Sequence, residues 1–137
     1  MAFLGAMATG VATPAQADDG FSGMFTAIYS GGSKPLAVSG NASMMWRATP
    51  CGSGCTTVMD DQGVLWPAHL ANGTWTATIK TPYAVDCKNG IFAPGTSVLT
   101  LDAATLRGTI VGTSDGPACG SPAPMTGGAT FVTLDQA

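Results

Sequence analysis

Apolar and polar residues alternate along three stretches of the chain, and a period of two is typical of β-strands that bury one face. The three stretches are Ser43–Thr49, Thr74–Lys80 and Leu106–Thr113. In the first of them, Met44, Trp46 and Ala48 share one face. No comparable stripe with the helical period of 3.6 residues follows Asp18. The alternation therefore predicts an all-β fold.

Five further runs, rich in apolar residues or Thr, bring the expected number of strands to about eight. They are Phe21–Tyr29, Thr56–Met59, Val64–Leu70, Ser97–Leu101 and Ala129–Leu134. Turn residues such as Asn72-Gly73 separate them. Such connections predict antiparallel neighbours, in either an up-and-down, lipocalin-like barrel or a meander sandwich. We favour the barrel, because closure removes the exposed edges that a sheet with few charges protects poorly.

The composition limits the partners of this fold. Of the 137 residues, 45% are apolar and only 9% are charged, and the formal net charge is −3. One domain accommodates this length. The five Lys and Arg residues are scattered and do not form the basic surface that nucleic-acid binding requires. No apolar run is long enough to predict a membrane span, so we expect neither partner.

The N-terminus has the features of an export signal. Small apolar residues dominate Ala2–Ala12, and Ala15-Gln16-Ala17 matches an A-x-A cleavage site. Because no basic residue precedes the apolar stretch, we expect the natural start to lie upstream. The predicted organisation is a signal peptide remnant, residues 1–17, and a single β domain, residues 18–137. A buried N-terminal helix is the alternative, which Gly5, Gly10 and Pro14 oppose.

All four cysteines follow the expected cleavage site, and their even number predicts two disulfides in an oxidising, extracytoplasmic compartment. In an up-and-down meander, alternate connections lie at the same end. Cys51 and Cys55 share the connection after the second strand, whereas Cys87 and Cys119 fall in two connections at the opposite end. This topology predicts the bridges Cys51–Cys55 and Cys87–Cys119. A zinc site built from all four thiolates is the alternative.

Two segments rich in Pro and Gly are predicted to be long connections, Thr81–Thr96 and Ser114–Thr126. The second bridge would tie them together over one mouth of the barrel. Without it they would be the least ordered parts of the domain.

Residues able to carry catalysis are scarce, since the chain has one His and no Glu. His69 would need a positioned carboxylate and a nucleophile, and no nucleophile motif accompanies it. Asp60-Asp61 offers two carboxylates to calcium, but without the spacing of a calcium-binding loop. We therefore predict no catalytic residue, no metal site and no cofactor.

The tryptophans provide the one indication of a binding site. Trp46 and Trp75 lie on the apolar faces of their strands, and Met44 is close to Trp46. If these side chains face inward, they either fill the barrel or line one end of a small apolar cavity. Trp46, Trp75 and Met44 are therefore the candidate ligand-binding residues, with a filled core as the alternative.

The order of these motifs resembles small exported proteins of mycobacteria and related actinobacteria. The shared pattern is a strand ending in Trp, a Cys-x3-Cys pair, a Gly-x-Trp strand and two later cysteines. In this chain its elements are Trp46, Cys51–Cys55, Gly73–Trp75, Cys87 and Cys119. The resemblance covers most of residues 18–137. It implies export and disulfides, and it implies no activity.

Together these observations predict a non-enzymatic secreted or cell-envelope protein. Its rigid barrel would present loops to an envelope protein or hold a small apolar ligand in a cavity. The alternatives are a secreted hydrolase that uses His69 and a purely structural envelope protein with a filled barrel.

Overall fold

The computed structural model describes residues 20–31 and 43–137, which contain nine strands and no helix. The expected signal peptide, residues 1–17, lies outside the described residues. No helix in the described ranges has the length and apolarity to cross a membrane. The strands are β1 Gly23–Ser30, β2 Ser43–Gly52, β3 Cys55–Met59, β4 Leu65–Ala71, β5 Thr74–Asp86, β6 Phe92–Asp102, β7 Arg107–Pro117, β8 Pro124–Thr126 and β9 Thr130–Gln136.

Eight of the strands close into an antiparallel, up-and-down barrel. From β1 to β7 each strand pairs with the next, and β9 completes the circuit by pairing with both β7 and β1. The short β8 pairs with β7 outside this circuit. The predicted all-β barrel is therefore confirmed, and the meander sandwich is not what forms.

Alternate side chains of the strands fill the barrel interior. Aromatic residues such as Trp46 and Trp75 are buried beside small ones such as Ala27 and Ala77. Large and small side chains thus share an interior that is just wide enough for them in an eight-stranded barrel. The outward positions are mainly Thr and other polar residues, as the alternation predicts.

One end of the barrel, which we call the plugged end, carries the β2–β3, β4–β5 and β6–β7 turns. Phe21 closes it: its ring is 5% exposed and packs edge-to-face on Phe25 and Trp75, with centroid distances of 5.7 and 5.4 Å. Thr56 Oγ1 donates a hydrogen bond to the Phe21 carbonyl oxygen at 3.3 Å. The prediction that Phe21 is a strand residue is wrong, because β1 begins at Gly23.

The residue before this plug must be glycine. Gly20 has a φ of +92°, and a Cβ there would lie 2.5 Å from Thr56 Oγ1 and 2.7 Å from the Cys55 carbonyl oxygen. Any side chain would therefore push the segment away from β3. The close approach of Gly20 to β3 is what turns the following aromatic ring into the barrel.

The opposite end, which we call the open end, is more regular than predicted. β5 continues to Asp86 and β6 begins at Phe92, within the predicted long connection Thr81–Thr96. β7 likewise runs to Pro117, within the second predicted connection. A small cluster of Ala84, Val85 and Ala93 buries the extended part of these strands. Local packing thus replaces the alternation that the sequence lacks here.

Both predicted disulfides are present. Cys51 bonds to Cys55 and Cys87 bonds to Cys119, with Cα–Cα distances of 5.0 and 5.1 Å. The described residues contain no free cysteine, so the alternative of a four-cysteine zinc site is wrong. Two disulfides are consistent with an extracytoplasmic protein.

Candidate ligand-binding site

The ladder between β4 and β5 stops partway along the barrel. Pairing joins Ala68–Ala71 to Thr74–Ala77 and goes no further toward the open end. Both strands nevertheless continue in that direction, β4 back to Leu65 and β5 on to Asp86. An unpaired seam, which we call the β4–β5 cleft, therefore separates residues 65–67 from residues 78–80.

A single proline explains where the ladder stops. Leu70 donates its backbone N–H to the Gly54 carbonyl oxygen on the β3 side, at 3.0 Å. Because successive residues of a strand point their backbone groups to opposite sides, the nitrogens of His69 and Pro67 face β5. Proline has no N–H to donate. The ladder therefore ends before Pro67, and Thr78 has no partner in β4.

The cleft adjoins a cavity of about 330 Å³ at the open end. This volume lies at the lower end of the range for small-molecule sites. The apolar part of the wall consists of Val64, Trp66, Ile79, Pro82, Tyr83 and Ile110. The polar part consists of Asp60, Gln62, Lys80, Thr81 and Ser97. The cavity is thus largely apolar, with a few polar groups that are able to orient a bound molecule.

A bulge in β5 forms the rim of this cavity. Residues 82–84 of β5 face only Pro94 of β6, so the extra backbone bends over the barrel interior. A Cβ on Gly112 would lie 1.7 Å from the Ala84 carbonyl oxygen, so this approach requires glycine. The bulge brings Pro82 and Tyr83 to the cavity mouth.

Asp60 is 9% exposed as a residue, and its carboxylate is held by hydrogen bonds beside the cavity that this residue lines. Its Oδ1 accepts hydrogen bonds from the backbone N–H groups of Gln62 and Val64, each at 2.9 Å. Its Oδ2 accepts one from Trp66 Nε1 at 3.1 Å. All three donors are uncharged. Within residues 20–31 and 43–137, no cationic side chain pairs with this carboxylate.

Ser97 supplies a second buried polar group in the wall. It is 6% exposed and lies between Ile79 of β5 and Gly112 of β7 in the sheet register. Its hydroxyl forms no hydrogen bond within the residues that the structure describes, but it is not one of the fully buried unpaired polar atoms there, so it keeps some accessible surface. Because Ser97 lines the cavity, its hydroxyl is a hydrogen-bonding group that a bound molecule is able to use.

A hydrogen-bonded chain links the core to the loop that carries Asp60. Trp46 Nε1 donates to the Tyr29 hydroxyl at 2.9 Å, and this hydroxyl donates to Asp61 Oδ1 at 3.4 Å. Burial, reinforced by the charges of Asp61 and Asp60, raises the pKa of Tyr29 far above its ordinary value. Tyr29 is therefore a neutral hydrogen-bonding group at any physiological pH.

The structure separates the three predicted ligand-binding residues from the cavity wall described above. Trp46 and Trp75 are each 1% exposed in the core, and Met44 packs half-buried against it. Trp75 Nε1 has no hydrogen-bond partner in the described part of the chain. Direct contact of these three residues with a ligand stays a prediction. The tryptophan that lines the cavity is Trp66, and the signal for it in the sequence is the strand-interrupting Pro67 that follows.

His69 is exposed and lies near the plugged end, where it pairs across the sheet with Cys55 and Thr76. It is not among the residues that line the cavity. In the described ranges no hydrogen bond joins its side chain to a carboxylate or a hydroxyl. Among residues 20–31 and 43–137, the structure therefore brings no hydrolase triad together around His69.

The fold and this site define an eight-stranded, two-disulfide barrel with one plugged end and a cavity at the other. Comparison of the chain with protein-family models, with curated proteins and with solved structures finds no match. The resemblance to exported actinobacterial proteins accordingly stays a prediction.

Proposed function

We propose that this protein is a non-enzymatic, secreted or cell-envelope binding protein that holds a small apolar ligand in the cavity at the open end. The observation that carries the proposal is the cavity of about 330 Å³, with a largely apolar wall, in a barrel whose other described inward-facing side chains pack into one hydrophobic core. The two disulfides fit the oxidising compartment in which such a protein would work.

The contrast with a purely structural, filled barrel supports this proposal. Unfilled apolar volume destabilises a fold, and this chain fills its plugged end with aromatic rings. At the open end it instead combines a ladder-ending Pro67 with a bulge over Gly112, and both keep volume free. A ligand would fill that volume.

The size of the cavity sets the size of the ligand. A volume of about 330 Å³ corresponds to roughly eleven water molecules at about 30 Å³ each. This is enough for a molecule of one or two rings, but not for a long-chain lipid. Naphthalene, a neutral two-ring hydrocarbon, is therefore a suitable first ligand for a test.

Binding of naphthalene to the mature domain is measured by tryptophan fluorescence and by the shift in melting temperature. We expect saturable binding, and Trp66→Phe identifies the reporting ring. Ile79→Phe places a larger side chain in the cavity and should reduce the affinity at least tenfold. Leu65→Phe is the matched control, because Leu65 is exposed on the neighbouring strand.

Two results would overturn the proposal. The first is the absence of saturable binding to the wild-type protein, which would favour a structural role. The second is equal affinity of the wild-type, Ile79→Phe and Leu65→Phe proteins, with all three folded by circular dichroism, since the binding would then lie outside the cavity.

A further inference from the structure

We infer that the ligand of this cavity is a small apolar amine, whose protonated nitrogen pairs with the Asp60 carboxylate. This inference rests on the proposed binding function and adds the chemical class of the ligand. It is carried by a buried carboxylate that pairs with no cation among the described residues, and by a serine hydroxyl without a described hydrogen-bond partner, both in the wall of one largely apolar cavity.

The Asp60 carboxylate lacks the partner that a buried charge requires. Its three hydrogen bonds come from two backbone N–H groups and one indole N–H, which carry no net charge. A carboxylate has about four acceptor positions, so one position remains on Oδ2. A buried charge is costly unless it is both hydrogen-bonded and paired. A cationic ligand would supply the pairing that the described residues do not.

Lys80, the one cationic side chain among the lining residues, is already engaged elsewhere. Its Nζ forms an ion pair with Asp115 and donates a hydrogen bond to Thr96 Oγ1 at 3.3 Å. Lys80 therefore does not neutralise Asp60, and because its exposed ammonium is already paired with Asp115, it attracts an anionic ligand less than a free ammonium would. The charges in this wall thus favour a cation over a carboxylate or a phosphate.

Two further features of the wall suit an ammonium group. An ammonium has three donors, and the Ser97 hydroxyl is a second acceptor without a protein partner in the described ranges. Trp66 and Tyr83 contribute aromatic surface, which attracts cations more than anions. Ile79 and Ile110 remain to pack against the apolar body of the ligand.

The test uses ligands that share one ring system and differ in charge. Naphthylmethylamine, naphthylmethanol and naphthylacetate are titrated into the mature protein by isothermal calorimetry at neutral pH. A hydrogen bond to a charged group predicts that the amine binds about tenfold more tightly than the alcohol. We expect the carboxylate to bind more weakly than the alcohol.

Asp60→Asn should abolish the preference for the amine and leave the affinity for the alcohol within about threefold. Asp135→Asn is the matched control, because it changes the net charge equally at an exposed position of β9, and it should keep the preference. Ser97→Ala should weaken the amine several-fold and leave naphthalene unchanged. Even if Asp60→Asn fails to fold, the order of the three ligands by affinity for the wild-type protein tests the inference.

The outcomes distinguish this inference from the proposed function. If naphthalene and the alcohol bind but the amine has no advantage, the ligand class is wrong and the binding function stands. If naphthylacetate binds most tightly of the three, the inferred ligand class is likewise wrong and the binding function stands. If none of the ligands binds, including naphthalene, both the inferred ligand class and the proposed binding function are wrong.

Discussion

At the plugged end Phe21 packs on Phe25 and Trp75, whereas at the open end the interior remains a cavity lined by Trp66, Ile79 and their neighbours. The same eight strands form both ends. The two ends differ in single residues. At the plugged end, Gly20 lets the Phe21 ring turn inward. Toward the open end, Pro67 ends the pairing of β4 with β5. Strand number thus determines the barrel, while single residues determine whether an end is filled.

The two ends also differ in how they are held. At the plugged end the Cys51–Cys55 disulfide spans a separation of 4 residues within one hairpin. At the open end Cys87–Cys119 spans 32 residues and joins the β5–β6 connection to the segment after β7. A small cluster around Val85 and the pairing of β5 with β6 also support that region. The open end therefore depends on its covalent bridge more than the plugged end does.

The largest effect should come from removal of the plug. Phe21→Ala is expected to lower the free energy of unfolding by about 3–5 kcal/mol, because it leaves a cavity beside two aromatic rings. Urea unfolding measures this loss. Phe131→Ala is the control, since Phe131 is 55% exposed, and it should change stability by about 0.5 kcal/mol or less. Equal losses for both variants would show that Phe21 does not close the barrel.

The two disulfides should contribute unequally. Loop-closure entropy predicts a loss of about 3.7 kcal/mol for the Cys87→Ser/Cys119→Ser double variant and about 2 kcal/mol for the Cys51→Ser/Cys55→Ser double variant. Thermal melts of the two oxidised proteins make the comparison. Equal melting temperatures would contradict the ranking and the greater dependence of the open end on its bridge.

At alkaline pH, ionisation of Tyr29 should lower the free energy of unfolding. Its pKa is raised in the folded protein, so the fold favours the neutral phenol. The contribution of Tyr29 is therefore fully present below the unfolded-state pKa of about 10 and is lost as the pH rises above it. Tyr29→Phe should flatten this alkaline loss, and should cost about 1–3 kcal/mol at neutral pH because Trp46 Nε1 loses its acceptor.

Tyr83→Phe is the control for this titration, because Tyr83 is the second of the two tyrosines and is exposed. Urea unfolding at a series of pH values from neutral to about 11 gives the free energy of unfolding, and its slope against pH is compared between the two variants and the wild-type protein. A Tyr29→Phe protein that keeps the wild-type slope would show that other groups cause the alkaline loss.

The smallest change in stability should come from closing the cleft. Pro67→Thr restores a backbone N–H that faces β5, so the ladder should extend to Thr78 with a net effect within about 1 kcal/mol. Hydrogen exchange should show greater protection of the Thr78 amide, and naphthalene should bind more weakly. Pro50→Thr at the plugged end is the control and should leave both measurements unchanged. Unchanged protection at Thr78 would mean that Pro67 does not cause the cleft.

The sequence was sufficient to predict the barrel and the disulfide pairing, because both follow from strand order and from alternation. The cavity was not predictable in the same way. Alternation shows that Trp46 and Trp75 face inward, but it does not predict where each ring lies along the barrel axis. That position determines whether a ring lines a cavity. Likewise, Pro67 opens a cleft only because its nitrogen faces β5, and this depends on the register with β3.

Contacts between distant parts of the chain account for the rest. The bulge at Ala84 needs Gly112 on β7, and the plug at Phe21 needs Gly20 to fit against β3. Neither requirement is visible in a local window of sequence. The predicted long connection Thr81–Thr96 was wrong for this reason, since its order comes from pairing with β6 and from the packing of the bulge.

The plug at Phe21 has a consequence for the rates of ligand exchange. Because the plugged end is closed, a molecule that enters the cavity past the rim formed by Pro82 and Tyr83 is able to leave by the same route. Forward and reverse crossings of this route share one barrier, so for exchange by this route a substitution that alters only the rim changes the association and dissociation rate constants by the same factor. Under the proposed binding function, the β5 bulge would thus change how fast a ligand exchanges, while the wall behind it would set how tightly the ligand binds.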